Sequence, residues 1–179
     1  KCLVTGHKGY IGSHLFQRLI DLEHDVVGID LKDGEDILHC LPNENFDYVF
    51  HLAAIARIQL GVSNPVETAK TNYVGTQVLL DLCNKHGIKK FIFSSTSSSY
   101  GLINKIPLNE DMEPDCLTPY SAAKVASEKL CQTYFKTFNV PTISLRYFNV
   151  YGEREPIKGE YAPVVGLFLR QRKECQPLT

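Results

Sequence analysis

The amino-terminal segment contains the pattern that most restricts how this chain can fold. A short apolar run, Cys2–Thr5, leads into Gly6, Gly9 and Gly12, and apolar residues at helical spacing follow. A strand, a glycine turn and a helix in this order form the dinucleotide-binding fingerprint, in which the helix N-terminus receives the pyrophosphate. The first glycine permits the tight turn, the second lets the backbone approach the pyrophosphate, and the third lets the helix pack on the strand. The pattern therefore predicts a nucleotide-binding domain.

The next predicted strand, His24–Ile29, is followed by Asp30 and Leu31. A carboxylate about 20 residues beyond the glycines can accept hydrogen bonds from the adenosine ribose hydroxyls, and it repels a 2′-phosphate. Asp30 therefore favours NAD over NADP as the cofactor, with Lys32 close enough to weaken that preference. The alternative is that Asp30 only caps a following helix.

One edge of the sheet is predicted to be shortened. Only five residues separate Asp30 from Asp36, whereas a crossover to a further parallel strand needs about a dozen or more. We therefore expect residues 35–38 to form an irregular edge segment, or one antiparallel to its neighbour.

Further strands are predicted within residues 46–54, 89–101 and 140–152, with helical patterns between them. Strands that alternate with helices predict an α/β fold with a doubly wound, Rossmann-like parallel sheet. The long helix between the first two of these strands begins at Asn64-Pro65. It contains Asn72, and an asparagine inside a helix is usually solvated.

Tyr120 and Lys124 are candidate catalytic residues. They are four apart in a predicted helix that begins at Thr118 and Pro119, so they share one face. A phenol with a pKa near ~10 is a poor base at neutral pH, and an ammonium beside it favours the phenolate and lowers that pKa. The pair could move a proton of a substrate hydroxyl, and Thr96, at the end of a buried strand, could hydrogen-bond the same hydroxyl. The alternative is a surface tyrosine and lysine on an ordinary helix.

Composition excludes several other classes of protein. The chain has 179 residues, 44% of them hydrophobic, and a net charge of −1, so nothing in its charge favours nucleic acid or a membrane surface as a partner. No apolar run approaches the about 18 residues of a transmembrane helix. The six cysteines show no zinc-site spacing, so we expect buried free thiols in a reducing cytosol, and no metal.

Taken together, these segments resemble the extended branch of the short-chain dehydrogenase/reductase family. The closer likeness is to its NAD-dependent nucleotide-sugar epimerases and dehydratases, of the UDP-glucose 4-epimerase kind. The resemblance covers nearly the whole chain, and its motifs occur in the family's order: TGHKGYIG at 5–12, Asp30, HLAA at 51–54, NYVGT at 72–76, SSTSSSYG at 94–101, PYSAAK at 119–124 and RYFNVYG at 146–152.

The resemblance implies a role for individual residues. Tyr120 is similar to the family's catalytic base, Lys124 to its partner and nicotinamide-ribose ligand, and Thr96 to its catalytic Ser/Thr. Asn149 is similar to the asparagine that contacts the phosphates of the sugar nucleotide, whereas Arg57 is either a further phosphate contact or a member of a surface salt bridge. The other residues implied to bind NAD are Gly6, Gly9, Tyr10, Ile11, Gly12, Asp30, Leu31, Asp36, Ile37, Leu52, Ala53, Ala54, Asn72, Tyr147 and Phe148.

Two serines decide which reaction the resemblance favours. The family's dehydratases carry an Asp-Glu pair after the catalytic threonine, and its UDP-glucuronate decarboxylases carry a Glu there, but this chain has Ser97 and Ser98. Neither serine can act as an acid or base near neutral pH, so epimerisation of a nucleotide sugar, first of all a UDP-hexose at C4, is the favoured reaction. A decarboxylase, dehydratase or reductase of the same family, and a non-catalytic dinucleotide-binding protein, are the alternatives.

The resemblance also predicts how the chain is organised. Residues 1–152 would form the NAD-binding domain, and residues 153–179 would begin the substrate-binding region, most of which lies beyond residue 179 in the family. Relatives dimerise through the helices that contain Asn72 and Tyr120, and small side chains at Ala122 and Ala126 suit such an interface. We therefore expect a cytoplasmic homodimer whose partner molecule is a nucleotide sugar.

Overall fold

The computed structural model describes residues 1–155 and 164–178. The chain divides into two compact units, Lys1–Arg146 and Tyr147–Thr179. These units are defined by contacts within the chain. The boundary at residue 152 is predicted from the family resemblance, and it stays a prediction.

A five-stranded sheet forms the centre of the fold, and the predicted α/β architecture is confirmed. The strands are β1 (Cys2–Thr5), β2 (Val26–Ile29), β3 (Tyr48–His51), β4 (Lys90–Thr96) and β5 (Thr142–Tyr147). Their spatial order is β2-β1-β3-β4-β5, and β1 pairs in parallel with both β2 and β3. The chain thus reverses its direction of winding at β1, and in such sheets ligands bind beyond the carboxyl ends of the strands at that point.

The shortened edge of the sheet is also confirmed. Strand β2 is the edge strand, and among the described residues the chain from Asp30 to Asp47 forms no further strand. It forms a short 3₁₀ turn, Leu31–Asp33, and then packs Ile37 and Phe46 into the core, where each is at most 4% exposed. This segment is irregular, as expected, rather than antiparallel.

The helices lie between the strands in sequence. They are α1 (Tyr10–Asp21), α2 (Ile58–Ser63), α3 (Pro65–Ala69), α4 (Gly75–His86), α5 (Pro119–Phe138) and α6 (Val164–Lys173). The predicted long helix from Pro65 is interrupted by a π-helical turn, Lys70–Val74, between α3 and α4. Two side chains from elsewhere on the helices donate hydrogen bonds to the carbonyl of Asn72 inside this turn, so that carbonyl is satisfied without an ideal α-helical ladder.

Both faces of the sheet are covered, as a doubly wound fold requires. On one face Leu3 packs in a cluster with Leu79 of α4 and Phe91 of β4. On the other face Val4 packs with Leu19 of α1. Successive residues of β1 point to opposite faces, and both clusters are formed by apolar side chains.

Helix α5 begins as predicted. The hydroxyl of Thr118 accepts a hydrogen bond from the backbone N–H of Ser121 at 3.2 Å, the Ser121 hydroxyl accepts one from the Thr118 N–H, and Pro119 occupies the first turn. The helix ends at Asn139, whose φ of 56° is left-handed. The two capped ends of α5 determine where along the sheet Tyr120 and Lys124 lie.

The second unit contains helix α6. Helix α6 begins at Val164, and residues 156–163 lie outside the described part of the chain. All six cysteines are unpaired, but the expectation that they are buried is wrong for Cys40, Cys116 and Cys175, which are exposed.

Throughout residues 1–155 and 164–178, every helix is too short or too polar to cross a bilayer, and no group of three potential metal-ligating side chains occurs.

Candidate active site

A cavity of about 370 Å³ lies beyond the carboxyl ends of β1, β2 and β3. Its wall joins the glycine turn to the segments that follow β2 and β3. Among the residues predicted to bind NAD, the cavity brings together Gly6, Gly9, Asp30, Leu31, Asp36, Ile37, Leu52, Ala53 and Ala54. Ile55, Glu67 and Thr71 also line it, and the sequence did not single them out.

The glycine turn has the geometry that its spacing predicts. Gly6 has a φ of +73°, a left-handed conformation that only glycine adopts without strain. A Cβ on Gly12 would lie 2.0 Å from the carbonyl oxygen of Gly6, so any larger residue would force the helix away from the strand. No side chain caps α1, and the backbone N–H groups at the start of a helix can donate hydrogen bonds to an anion.

Asp30 performs the capping role that was the alternative to ribose binding. Its two carboxylate oxygens accept hydrogen bonds from the backbone N–H groups of Lys32, at 2.9 Å, and Lys8, at 2.8 Å. The second bond ties the glycine turn to the end of β2. Each carboxylate oxygen can accept more than one hydrogen bond, so the capping role leaves acceptor capacity for ribose hydroxyls at the cavity wall.

A buried chain of hydrogen bonds connects the strand ends around the cavity, and it has no local pattern in the sequence that predicts it. His51 is fully buried, with Nδ1 2.8 Å from the Thr5 hydroxyl and Nε2 3.0 Å from the Thr76 hydroxyl. The Thr76 hydroxyl donates its only proton to the Asn72 carbonyl at 2.6 Å, so it must accept from Nε2–H. Nδ1 is then the acceptor from Thr5, whose oxygen accepts in turn from the N–H of Ala53 at 3.2 Å.

This chain of bonds assigns one neutral tautomer to His51. Burial lowers the pKa of His51 well below its usual value, and the charge of Lys124 lowers it further. The ring is therefore a neutral connector between β1, β3 and α4.

Asn72 is buried, at 1% exposure, so the expectation that an asparagine inside this helix is solvated is wrong. Its side-chain amide accepts from the N–H of Ile55 at 2.8 Å and donates to the carbonyl of Ile55 at 3.0 Å. Both ends of the amide are thus used to hold the backbone that follows β3. Only the fold brings these two residues together, which explains why helical position alone misjudged Asn72.

Helix α5 and strand β4 bring Tyr120 and Thr96 together. Thr96 ends β4, and its hydroxyl is close enough to the phenol of Tyr120 to oppose the effect of burial on the pKa of that phenol. The same hydroxyl accepts from the N–H of Ser98 at 3.1 Å, which orients it. Tyr120 is 8% exposed, so the phenol lies in a largely water-free environment, and the alternative of a surface tyrosine is wrong.

Lys124 lies one turn further along α5 and is 3% exposed. Its ammonium donates to the carbonyl of Ser94 at 2.8 Å and lies 4.8 Å from the centre of the Phe93 ring. Burial lowers the pKa of Lys124 to about 8. The group is still mostly protonated near neutral pH, and two of its three N–H donors remain beyond the one given to Ser94.

The predicted lowering of the Tyr120 pKa by Lys124 is not what the structure gives. Burial raises the pKa of Tyr120, and the opposing effect comes from the Thr96 hydroxyl. The ammonium of Lys124 is directed at the Ser94 carbonyl and the Phe93 ring, and its charge does not offset the effect of burial on the phenol. A base with a raised pKa needs donors that strengthen as the phenolate forms, and Thr96 is placed to provide one.

The remaining predicted site residues are less constrained. Arg57 is exposed and precedes α2, whose Gly61 packs against Tyr120; its phosphate role stays a prediction. Tyr147, Phe148 and Asn149 belong to the second compact unit, and their roles at the nicotinamide and the substrate phosphates likewise stay predictions.

The residues of this cavity fit a dinucleotide. The close contact at Gly12 lets α1 pack directly against the glycine turn, no side chain caps the start of α1, and the Asp30 carboxylate lies in the cavity wall. Small side chains, Ala53 and Ala54, line the middle of the cavity. This donor set suits a pyrophosphate and a ribose with free hydroxyls, as NAD has.

Comparison with known proteins agrees with this assignment. Residues 2–179 match the model of the NAD dependent epimerase/dehydratase family. The chain is 34% identical to a UDP-N-acetyl-alpha-D-glucosaminuronate decarboxylase of Bacillus cytotoxicus, with 95% of this chain and 60% of that protein covered. The chain spans about three fifths of the length of the curated relatives it matches.

Two solved structures are similar over nearly the whole chain. A UDP-N-acetylglucosamine 4-epimerase from Methanobrevibacter ruminantium M1, in complex with UDP-N-acetylmuramic acid, superposes with a TM-score of 0.92 at 30% identity, covering 98% of this chain and 63% of that one. A UDP-glucuronic acid 4-epimerase from Bacillus cereus, in complex with UDP-glucuronic acid and NAD, superposes with a TM-score of 0.86 at 35% identity, covering 99% and 64%.

Proposed function

The chain belongs to the NAD-dependent epimerase/dehydratase family, and we propose that the protein is a nucleotide-sugar epimerase acting at C4 of a UDP-hexose. The observation that carries this proposal is the buried pair Tyr120 and Thr96 at the end of β4, followed in sequence by Ser97 and Ser98 rather than by carboxylates. Such a pair can remove a proton from a ring hydroxyl and return it, and it offers no second acid or base for eliminating a group from the sugar.

NAD, the family's cofactor, supplies when bound a nicotinamide ring that accepts a hydride from the sugar and gives it back. The glycine turn and the first turn of α1 would hold its pyrophosphate, and Asp30 and Leu31 its adenosine ribose. Asp36 and Ile37 would border the adenine, and Ala53 and Ala54 the middle of the molecule. Lys124 would bind the nicotinamide ribose with the donors that Ser94 leaves over, and Tyr147 and Phe148 would lie near the nicotinamide.

Tyr120 is the proposed base. It would take the proton of the C4 hydroxyl while Thr96 donates a hydrogen bond to the same oxygen, and it would return the proton once the sugar has turned over. Burial, which raises the pKa of Tyr120, makes the phenolate the stronger base for the forward step. Thr96 and the ammonium of Lys124 would stabilise the negative charge on the phenol oxygen before it accepts the proton, and again when the phenol gives the proton back.

The substrate's phosphates would be bound outside this core. Asn149 and Arg57 are the residues we propose for them, since an amide and a guanidinium both donate hydrogen bonds to phosphate oxygens. Support for a nucleotide sugar as the substrate class comes from the ligands bound in the two similar structures, which are UDP-sugars.

A decarboxylase is the second candidate, because a relative with that activity is 34% identical to this chain. Ser97 and Ser98 argue against it, since hydroxyls cannot perform the acid–base work that the family's elimination reactions assign to carboxylates at these positions. A non-catalytic dinucleotide-binding protein would not need the buried Tyr120–Thr96 pair.

One assay separates these candidates. Full-length protein with NAD is incubated separately with UDP-glucose, UDP-N-acetylglucosamine and UDP-glucuronate, and the products are identified by NMR. The proposal predicts the C4 isomer of at least one sugar without net formation of NADH. Release of carbon dioxide from UDP-glucuronate would establish a decarboxylase, a stable keto product would establish a dehydratase or a reductase, and no turnover of any sugar would contradict an enzyme of UDP-hexoses.

A further inference from the structure

Three successive turns of α5 contact three successive residues at the end of β4. The contacts use side chains spaced by four residues, which lie on one face of the helix. The pairs are Tyr120 with Thr96, Lys124 with Ser94, and Glu128 with Ser95. The first two pairs belong to the proposed catalytic machinery, and the third has no role in it.

Glu128 is a buried carboxylate, 5% exposed, with partners on both oxygens. The Ser95 hydroxyl donates a short hydrogen bond to one oxygen. Arg146 of β5 donates from Nε at 3.0 Å to that same oxygen and from Nη2 at 2.7 Å to the other. Such a forked, buried ion pair has one favourable geometry, so it fixes the carboxylate in place.

Arg146 is itself held on its far side. Its guanidinium lies 5.0 Å from the centre of the Tyr100 ring and donates from Nη1 to the carbonyl of Glu110 at 3.2 Å. The hydrogen bond with Glu128 raises the pKa of Arg146 above its usual value. The network therefore extends from β5 through α5 to β4, and it continues into the segment that follows Thr96.

We propose that Glu128 is a positioning residue of the active site: through Ser95 it holds the end of β4 at the height where the Thr96 hydroxyl meets the phenol of Tyr120. The proposal rests on the function proposed above, since it assigns Glu128 to the geometry of that catalytic pair. Arg146 keeps the carboxylate from turning away. Ser95 and Thr96 are adjacent, so a shift of one in the strand displaces the other.

A purely structural role for this network makes a different prediction. If Glu128 only joins α5 to β5, loosening it lowers stability but leaves the Thr96 hydroxyl in place beside the phenol of Tyr120. If Glu128 positions Thr96, loosening it shifts that hydroxyl, which in the native protein opposes the effect of burial on the phenol. The pKa of Tyr120 then rises, and the acid side of the pH–rate profile moves to higher pH.

Ser95→Ala and Glu128→Gln in the full-length protein test the proposal. Ser95→Ala is the milder change because it leaves the ion pair with Arg146 in place. Tyr134→Phe is the matched control: it removes a hydrogen bond from α5 to Asp81, on the same helix but away from β4. Three quantities are measured for each variant: kcat and KM for the sugar, NAD affinity by calorimetry, and the Tyr120 titration from tyrosinate absorbance, with the Tyr120→Phe form of each variant as the blank.

We expect Ser95→Ala to lower kcat roughly tenfold, because the variant lacks one hydrogen bond that aligns the end of β4. KM and NAD affinity should be nearly unchanged. We also expect Tyr120 to titrate at higher pH in both test variants. Tyr134→Phe should lower the unfolding temperature without changing kcat or the titration.

Two outcomes would overturn the proposal. One is a Ser95→Ala protein with wild-type kcat and an unmoved Tyr120 titration, and the other is a Tyr134→Phe protein that moves both as much as the test variants do. The tyrosine titration needs no substrate, so it still decides the positioning role if no UDP-hexose turns over and the proposed function fails.

Discussion

At the scale of single residues, Tyr120 is the side chain on which the proposed chemistry depends. Replacing it with phenylalanine removes the hydroxyl and keeps the Cβ that contacts Gly61 of α2. We expect kcat to fall by about 10²–10⁴-fold, the usual contribution of a general base. Calorimetry should still detect NAD binding, because the pyrophosphate and ribose contacts are untouched. Turnover at a near-wild-type rate would show that another group takes the proton.

Lys124 has a pH signature in stability. Its pKa is lowered from 10.5 to about 8 by burial, so between those pH values the unfolded chain keeps a proton that the folded protein has lost. The unfolding free energy of the wild type therefore rises with pH over this range, relative to Lys124→Met, by about 3 kcal/mol in total. Urea unfolding at a series of pH values, without added dinucleotide, measures the difference. A constant difference would mean that Lys124 is not desolvated in solution.

His51 produces a pH dependence of the same sign, but on the acid side of neutrality. Its pKa lies well below 6.5 in the folded protein, so below about pH 6.5 the unfolded chain binds a proton that the folded protein excludes. The unfolding free energy of the wild type should fall by up to about 1.4 kcal/mol for each pH unit below that value, relative to His51→Gln. Equal acid sensitivity of the two proteins would contradict a neutral, buried His51.

Single residues also show where the sequence is informative. Two placements could be predicted, because a four-residue helical spacing and a strand end have fixed geometry. Tyr120 and Lys124 lie on one face of α5, and Thr96 lies near Tyr120. The pKa of Tyr120 and the burial of Asn72 could not be predicted, because they depend on partners such as Ser94 and Ile55 that are distant in sequence.

At the scale of elements, the contact between α1 and β1 is the most sensitive to change. A methyl group on Gly12 would lie 2.0 Å from the carbonyl oxygen of Gly6, so Gly12→Ala must push the helix off the strand and distort the turn. We expect NAD affinity to fall at least tenfold, and stability by about 1–3 kcal/mol, as for other overpacked sites.

Gln17→Ala, on the exposed face of the same helix, is the control for Gly12→Ala. It loses only a surface hydrogen bond to Asp21 and should bind NAD like the wild type. Unchanged NAD affinity in Gly12→Ala would remove the glycine turn from the cofactor site.

The elements that sequence reasoning missed are those that non-local contacts create. Helix α2 has only six residues and most of its apolar side chains are exposed, so it lacks the periodic pattern that predicts longer helices. The π-helical turn at Lys70–Val74 depends on a hydrogen bond from Ser127 of α5 to Asn72. Neither feature has a local signal, whereas the capped start of α5 at Thr118 does.

At the scale of the whole molecule, the shortened edge of the sheet followed from spacing alone, since five residues after Asp30 cannot form a crossover. The architecture places the glycine turn, Asp30 and the segment after β3 at one edge of the sheet because all these strands are parallel. The predicted homodimer, the cytoplasmic location and the substrate-binding role of residues beyond 152 depend on resemblance, and they stay predictions.

The central claim is that Tyr120 moves the proton of a ring hydroxyl while the hydrogen on the same carbon leaves for the bound NAD and returns to it. The most direct measurement uses UDP-glucose deuterated at C4, incubated in ordinary water with the full-length protein and NAD, and followed by NMR and mass spectrometry. The account predicts UDP-galactose that still carries deuterium at C4. Product in which the deuterium has exchanged with water, or an accumulating keto sugar, would contradict it.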